Sequence, residues 1–470
     1  MAACASDGVE LQGAAVPAIT SLDEFVFGVA PRPVRCGRGV EIGAGKVIPE
    51  INFTLPPIDI NRDNWPEIRR QYTEMITGVT QRAVDLGVED LLVEFETLPP
   101  MTVHPEWGAE ITSLLAEHLQ TAFEKHGLRS ALRLTPNDTR DHVRPPRMRG
   151  GYYWDGMVEL FHAAARAGAD LIAIESTGGK EISDEGLMSA DLRTMVFALG
   201  VLAPRDMRFL WTEIVAACRE GQIVPSGDTA CGFANTAMVL ADKRMIPTVF
   251  AAVVRVASVP RGLVAYESGA IGPSKDCAYE GPYIKAITGV PISMEGRTAA
   301  GAHLSPVGNV SQAVCDCWSN ESIQNVRLLS TNAPTVSLEQ LVYDCRLMNV
   351  AASHPGGAQT LRDWLAESDA PRDAQAFVLR PDVVLRVSGA IAAESTPYRR
   401  TRAAVLASVD ELRRGLASGE LSIPANEKRW LDRLAREAEN LPEDEDRFIA
   451  EMMPVLANAP YLPEEYCLDV

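Results

Sequence analysis

Met157-Val-Glu-Leu-Phe-His-Ala-Ala-Ala-Arg-Ala-Gly168-Ala-Asp-Leu-Ile-Ala-Ile-Glu175-Ser-Thr-Gly-Gly179 reads as a helix, a glycine stop and a short apolar strand that ends on an acid. The same order occurs twice upstream. Apolar residues at helical spacing from Trp65 to Leu86 (Ile68, Tyr72, Met75, Ile76, Val79, Val84) precede Gly87 and a strand over Leu91 to Glu96. A helix from Ile111 to His126 precedes Gly127 and a strand over Ser130 to Thr135. Helix, glycine and strand in repetition is the rhythm of parallel α/β units.

Downstream, strands are expected near Phe209-Leu-Trp211, at Ile223-Val224 and over Gly262 to Glu267, with helices at Leu192 to Leu199, Thr236 to Lys243 and Thr248 to Ala257. The strand count tends toward eight. The expected class is α/β: one large barrel over residues 36–337, with an arm over 1–35 before it and a C-terminal helical extension over 338–470 after it, fits the length as well as two or three average domains. In the arm, Ser21-Leu-Asp-Glu-Phe-Val-Phe27 has capping-box spacing between Ser21 and Glu24. The extension shows charged amphipathic helices over Ala403 to Ala417 and Asn426 to Ala438, and the acid run Pro442 to Asp446 reads as a solvated helix start. Gly37 to Gly45 is rich in glycine but lacks the G-x-G-x-x-G order of a phosphate cradle.

With 470 residues, 46% hydrophobic and 23% charged, the chain has the composition of an ordinary globular protein with a sizeable core. A net charge of -19 argues against binding nucleic acid through its phosphates. No apolar run approaches the roughly 18–20 residues that span a bilayer, so no membrane segment is expected. The start, Met1-Ala-Ala-Cys4, lacks the basic and apolar regions of a secretory leader, which points to the cytoplasm. Nine cysteines in a chain this long suit thiols or metal ligands better than a disulfide scaffold.

Chemistry concentrates between Pro225 and Trp318, which holds four of those cysteines. Cys231 follows the run Val224-Pro-Ser-Gly-Asp228, and Cys277 closes the glycine-rich loop Ser268 to Asp276. With Glu175, both occupy strand ends, where parallel α/β folds carry their sites. Two thiols and a carboxylate are zinc-type ligands, and three of them leave one coordination position open for substrate. Buried cysteines that only pack, and a glutamate that only caps a helix, are the alternative reading of the same residues. Cys315-Asp-Cys317 with His303 is a competing cluster, but no second cysteine pair stands at zinc-finger spacing. H-E-x-x-H, G-x-S-x-G and Walker A sequences are absent.

Three runs carry a resemblance: Ser226-Gly-Asp-Thr-Ala-Cys231-Gly-Phe-Ala-Asn-Thr-Ala237, Leu263 to Cys277, and Ile174-Glu175-Ser-Thr-Gly-Gly-Lys-Glu181. Further runs are Glu41 to Gly45, Lys285 to Gly289, Met294 to Gly296, Cys315 to Ser322 and Tyr343 to Cys345. Together they resemble the zinc-dependent methanol:corrinoid methyltransferase subunit family over most of the chain. The resemblance implies a (β/α)8 TIM barrel with zinc (Zn2+) held by Glu175, Cys231 and Cys277. It also implies transfer of the methyl group of methanol to the Co(I) corrinoid, a cobalamin, carried by a partner corrinoid-binding protein, within a homo- or hetero-oligomer. Where the family has a cysteine before an Ala-His pair, this chain has Gly301-Ala-His303, so no thiol is required there. Hydroxide leaves poorly without a proton, and Asp228 and Glu267 are the candidate acids by position. The alternatives are a corrinoid methyltransferase for another small methoxy or methylated compound, metal-assisted hydrolysis, and a non-catalytic zinc-stabilised scaffold.

Overall fold

A computed structural model describes residues 16–54, 58–275, 277, 279–323 and 327–468. Residues 1–15, on which the reading of the N-terminus as leaderless rests, lie outside them. Strands β1 (Val29–Cys36) and β2 (Val40–Ala44) pair as an antiparallel hairpin. Seven more form one parallel sheet: β3 (Ile48–Thr54), β4 (Asp90–Glu96), β5 (Arg129–Thr135), β6 (Leu171–Ile174), β7 (Val224–Asp228), β8 (Ser293–Glu295) and β9 (Cys317–Ile323). Their order is β7-β6-β5-β4-β3-β9-β8. Residues 271–274 fill the gap between the two ends. Ile271 N and Gly272 N donate to Pro225 O (2.9 Å) and Ser226 O (2.8 Å) of β7, while Ser274 bridges Ile292 in parallel. The sheet thereby curls into the expected barrel with eight staves.

Helices cover the outside and strand alternation sorts the residues. On β4, Leu91, Val93 and Phe95 face the helices with Ile68, Tyr72 and Leu115, whereas Leu92, Glu94 and Glu96 face inward. Helix Pro105–His126 ends at Gly127 (φ 71), the left-handed stop its sequence announces.

The barrel interior is layered. At the N-terminal ends of the strands the hairpin forms a plug, packing Cys36, Val40 and Ile42 against Ile48, Leu92, Ala131, Leu171 and Cys317. Gly37, at its turn (φ +50), lies so close that a Cβ would sit 2.4 Å from Ser130 O, which excludes any side chain. Above the plug, Arg133 bonds Glu50 (Nε to Oε1, 3.0 Å), Ser274 O (2.8 Å) and Ser293 Oγ (2.8 Å), with both charged side chains fully buried. Such a pair holds geometry rather than adding much net stability. The third layer opens at the strands' C-terminal ends and contains Asn52, Glu94, Glu96 and Lys275.

Three expectations are corrected. Gly262 to Glu267 is helix, not strand (Val259–Glu267), and the true stave follows at 271–274. Phe209-Leu-Trp211 lies inside the helix Ala203–Gly221. Ser21 to Phe27 forms turns that bury Phe25, Val26 and Phe27 rather than a helix. The helix Ala333–Ala352, within which the expected boundary at 337 lies, packs on β3 and β9 as the barrel's last helix. We propose the division at residues 353–356.

The C-terminal helices Pro397–Ser418 and Ala425–Glu439 lie over the helical pair Thr248–Ala257 and Val259–Glu267. Contrary to the expectation from apolar runs, residues Thr248–Glu267 are long and apolar enough to cross a membrane, yet 94% of the tested stretch is buried inside the fold. A helix apolar on every side is covered on every side.

Candidate metal centre

Glu175 follows directly on β6, so the strand's last apolar residues deliver its carboxylate to the barrel mouth. Cys231 comes three residues after β7 and opens a wide turn, Cys231–Asn235, that runs into the helix Thr236–Asp242. Cys277 comes just after the stave 271–274. The two sulfurs and a Glu175 oxygen all lie within 4.8 Å of one another, and Cys277 Sγ donates to Glu175 Oε1 at 2.7 Å. Among the described residues this is the group of three or more His, Cys, Asp or Glu side chains arranged to hold a metal ion.

Electrostatics of the bare cluster favour protons on sulfur. For Cys231 the hydrogen bond with Cys277 pulls the thiol down, but burial and the nearby Glu175 and Glu295 outweigh it and push it up to about 11. Cys277 is driven well above the ordinary thiol range by that same bond, by burial and by the charges of Cys231 and Glu175. A divalent cation reverses this, because it stabilises the thiolates that crowding penalises. Sulfur, sulfur and carboxylate at this spacing fit zinc, with a fourth position left open.

Neighbouring groups hold the ligands. Asn235 Nδ2 donates to Cys231 Sγ at 3.5 Å, and Ala230 N donates to buried Glu280 Oε1 at 2.6 Å. Burial pushes Glu280 up to about 7, against the pull of Arg261. Asp138 accepts from Thr177 N (2.9 Å), and Tyr466 Oη accepts from Gly179 N (2.9 Å) while donating to Glu181 Oε1 (2.9 Å). The loop bearing Glu175 is thus pinned by β5's exit loop and by the C-terminal tail.

Asp228 and Glu267 occupy different surroundings. Asp228, fully buried beneath the Cys231 turn, accepts from Arg261 (2.8 Å), Ser176 Oγ (3.1 Å) and Trp211 Nε1 (3.0 Å). Glu267 ends the helix Val259–Glu267, which leads into the stave from its N-terminal side, so it stands at the end of the barrel away from Cys277. There it pairs with Arg400 of the C-terminal layer. Cys315 and Cys317 stand at the start of β9, also far from the mouth, and His303 Nδ1 bonds Ala299 O at 3.0 Å.

The chain matches the family described as methanol-cobalamin methyltransferase B subunit over residues 15–466. It belongs to that family. A methanol–corrinoid protein co-methyltransferase of Methanosarcina barkeri (strain Fusaro / DSM 804) is 36% identical over 438 residues, covering 92% of this chain and 94% of that protein. The methanol:cobalamin methyltransferase complex MtaBC from Methanosarcina barkeri superposes with a TM-score of 0.92 at 33% identity, covering 96% of this chain and 99% of that chain. The closed barrel and its covering helices are accordingly the fold of the B-subunit family.

Four residues around this cluster escape a reading of the sequence: Asn235, Lys275, Glu280 and Glu295. Asn235 carried one faint signal, its place four residues beyond Cys231, one helical turn away. Replacing it by alanine is expected to weaken the cluster's affinity for added zinc about 10-fold, because outer partners of metal ligands are worth roughly 10–100-fold in affinity. Competition with a chromogenic chelator measures this, and unchanged affinity assigns Asn235 to the turn alone.

Proposed function

We propose that this chain binds zinc through Glu175, Cys231 and Cys277 and transfers the methyl group of methanol to the Co(I) corrinoid of a partner corrinoid protein. One observation carries the reading: three zinc-type donors from three separate strand exits meet within 4.8 Å at the barrel mouth. Family membership and the methanol-specific names of the relatives support it. Bound by three protein ligands, zinc supplies a Lewis acid with one open position, suited to polarising an alcohol oxygen.

The chain's own residues do the remainder. Asn235 and the Glu280-held backbone of Ala230 orient Cys231, and the Asp228–Arg261 pair supports its turn from below. The methyl carbon gains a bond to cobalt and loses its bond to oxygen, whose electron pair takes up a proton to leave as water. Asp228 accepts three hydrogen bonds, one from a buried guanidinium, which suits a fixed support rather than a proton donor. The corrinoid is too large to enter a packed barrel, so the partner is expected to cover the mouth.

Incubating the zinc-loaded chain and a Co(I) corrinoid with methanol, methylamine or a methoxyaromatic, and following methyl-cobalt absorbance, tests the assignment. Methanol should react fastest. An extra methylene is worth roughly 1–3 kcal/mol in a pocket, so ethanol should react poorly without being excluded. Rapid methylation from methylamine or the methoxyaromatic, with none from methanol, replaces the donor while keeping the corrinoid chemistry. No turnover with any of them leaves a zinc-stabilised scaffold.

A further inference from the structure

Lys275 is a buried cation at the barrel mouth. Its side chain is 1% exposed, and its Nζ lies 2.6 Å from Glu96 Oε1, 3.3 Å from Glu94 Oε1, 3.5 Å from Glu175 Oε1 and 3.8 Å from Cys277 Sγ. These partners come from β4, from the exit of β6 and from Lys275's own segment, so one ammonium spans the mouth. Burying a lysine is costly unless opposite charges surround it. The converse holds here as well: Glu94 is fully buried beside it, and carboxylates this close repel one another unless a cation lies between them.

Resting on the zinc reading, we infer that Lys275 is a positioning residue whose ammonium holds Glu175 and the Cys277 segment in their ligating arrangement before metal arrives. It braces both against Glu94 and Glu96. Glu96 is itself fixed by Asn52 Nδ2 at 2.8 Å, and Glu94 by Thr135 Oγ1 at 2.5 Å, so the brace is anchored to β3 and β5. A ligand set ordered in advance binds its metal more tightly, because less ordering remains to be done on binding. Lys275 stands two residues before Cys277, and the same closing segment therefore supplies a ligand and the charge that tensions it.

The test uses the full chain, metal-free and zinc-loaded, with Lys275→Met, Lys275→Arg, Glu175→Gln and the Lys275→Met/Glu175→Gln pair. Lys275→Met is expected to lower the metal-free melting temperature by roughly 3–5 °C. In the Glu175→Gln background the loss should shrink by about a third, since one of the three stranded carboxylates is gone. Lys275→Arg should recover part of the loss, and zinc affinity of Lys275→Met should fall by about 10-fold or more. Equal losses in both backgrounds, or an Arg variant no better than Met, overturn the inference by making Lys275 a packing residue. Should Lys275→Met fail to fold, Lys275→Arg decides: zinc affinity near wild type supports the role of charge, and affinity reduced 10-fold in a folded Arg variant overturns it. A wild-type chain that takes up no zinc overturns the metal reading instead, and the metal-free cycle still judges Lys275.

Discussion

Cys277→Ala and Cys231→Ala are each expected to emerge from purification with almost no zinc and no methyl transfer, while keeping a folded barrel. Each removes one of three donors that meet within 4.8 Å. Two donors hold zinc far more weakly, and the loss should exceed the roughly 10–100-fold that outer partners are worth. Activity falls with the metal, so turnover should drop by on the order of 10³-fold or more. Measured against the metal-free wild type, stability should change little, since burial and the neighbouring carboxylates keep both sulfurs as neutral thiols with no charge for the fold to lose. Elemental analysis and circular dichroism on the same samples check both halves. Full zinc in both variants rejects this ligand set, even if activity is lost.

Asp228→Asn is expected to cost roughly 1.5–3 kcal/mol of stability, because the buried Arg261 guanidinium loses its ionic hydrogen bond and is left with Glu280 as a charged neighbour. Trp211 Nε1 and Ser176 Oγ also lose a charged acceptor. Denaturant unfolding measures the loss, and zinc content should fall with it, since the pair lies under the turn that presents Cys231. A stable, zinc-replete Asp228→Asn chain with turnover gone contradicts this and restores Asp228 as a proton donor.

What could be read beforehand follows from how local each signal is. β4, β5 and β6 were legible because each follows a helix that shows its apolar stripe and a glycine stop. Glu175, Cys231 and Cys277 stood out because they are zinc-type donors placed after strand ends, where parallel α/β folds carry their sites. Burial hid the helix Val259–Glu267. Covered by barrel and C-terminal layer alike, it has no polar face to reveal a period of 3.6, and Gly262-Leu-Val-Ala then reads as strand. The stave itself, Ile271-Gly-Pro-Ser274, has turn composition and joins the sheet through neighbours far away in the chain. Lys275 was illegible for the same reason: its meaning lies in Glu94, Glu96 and Glu175, which only barrel closure brings to it.

The doubly covered helix Thr248–Glu267 has a consequence during synthesis. Its outer cover, Pro397–Ser418, is translated well over a hundred residues later. At roughly 5–20 residues per second, the ribosome leaves this oily segment uncovered for on the order of ten seconds, long enough for targeting factors that recognise hydrophobic nascent chains to engage it. Truncated messages that stop before Pro397 should therefore yield aggregates or membrane-associated fragments instead of free barrels.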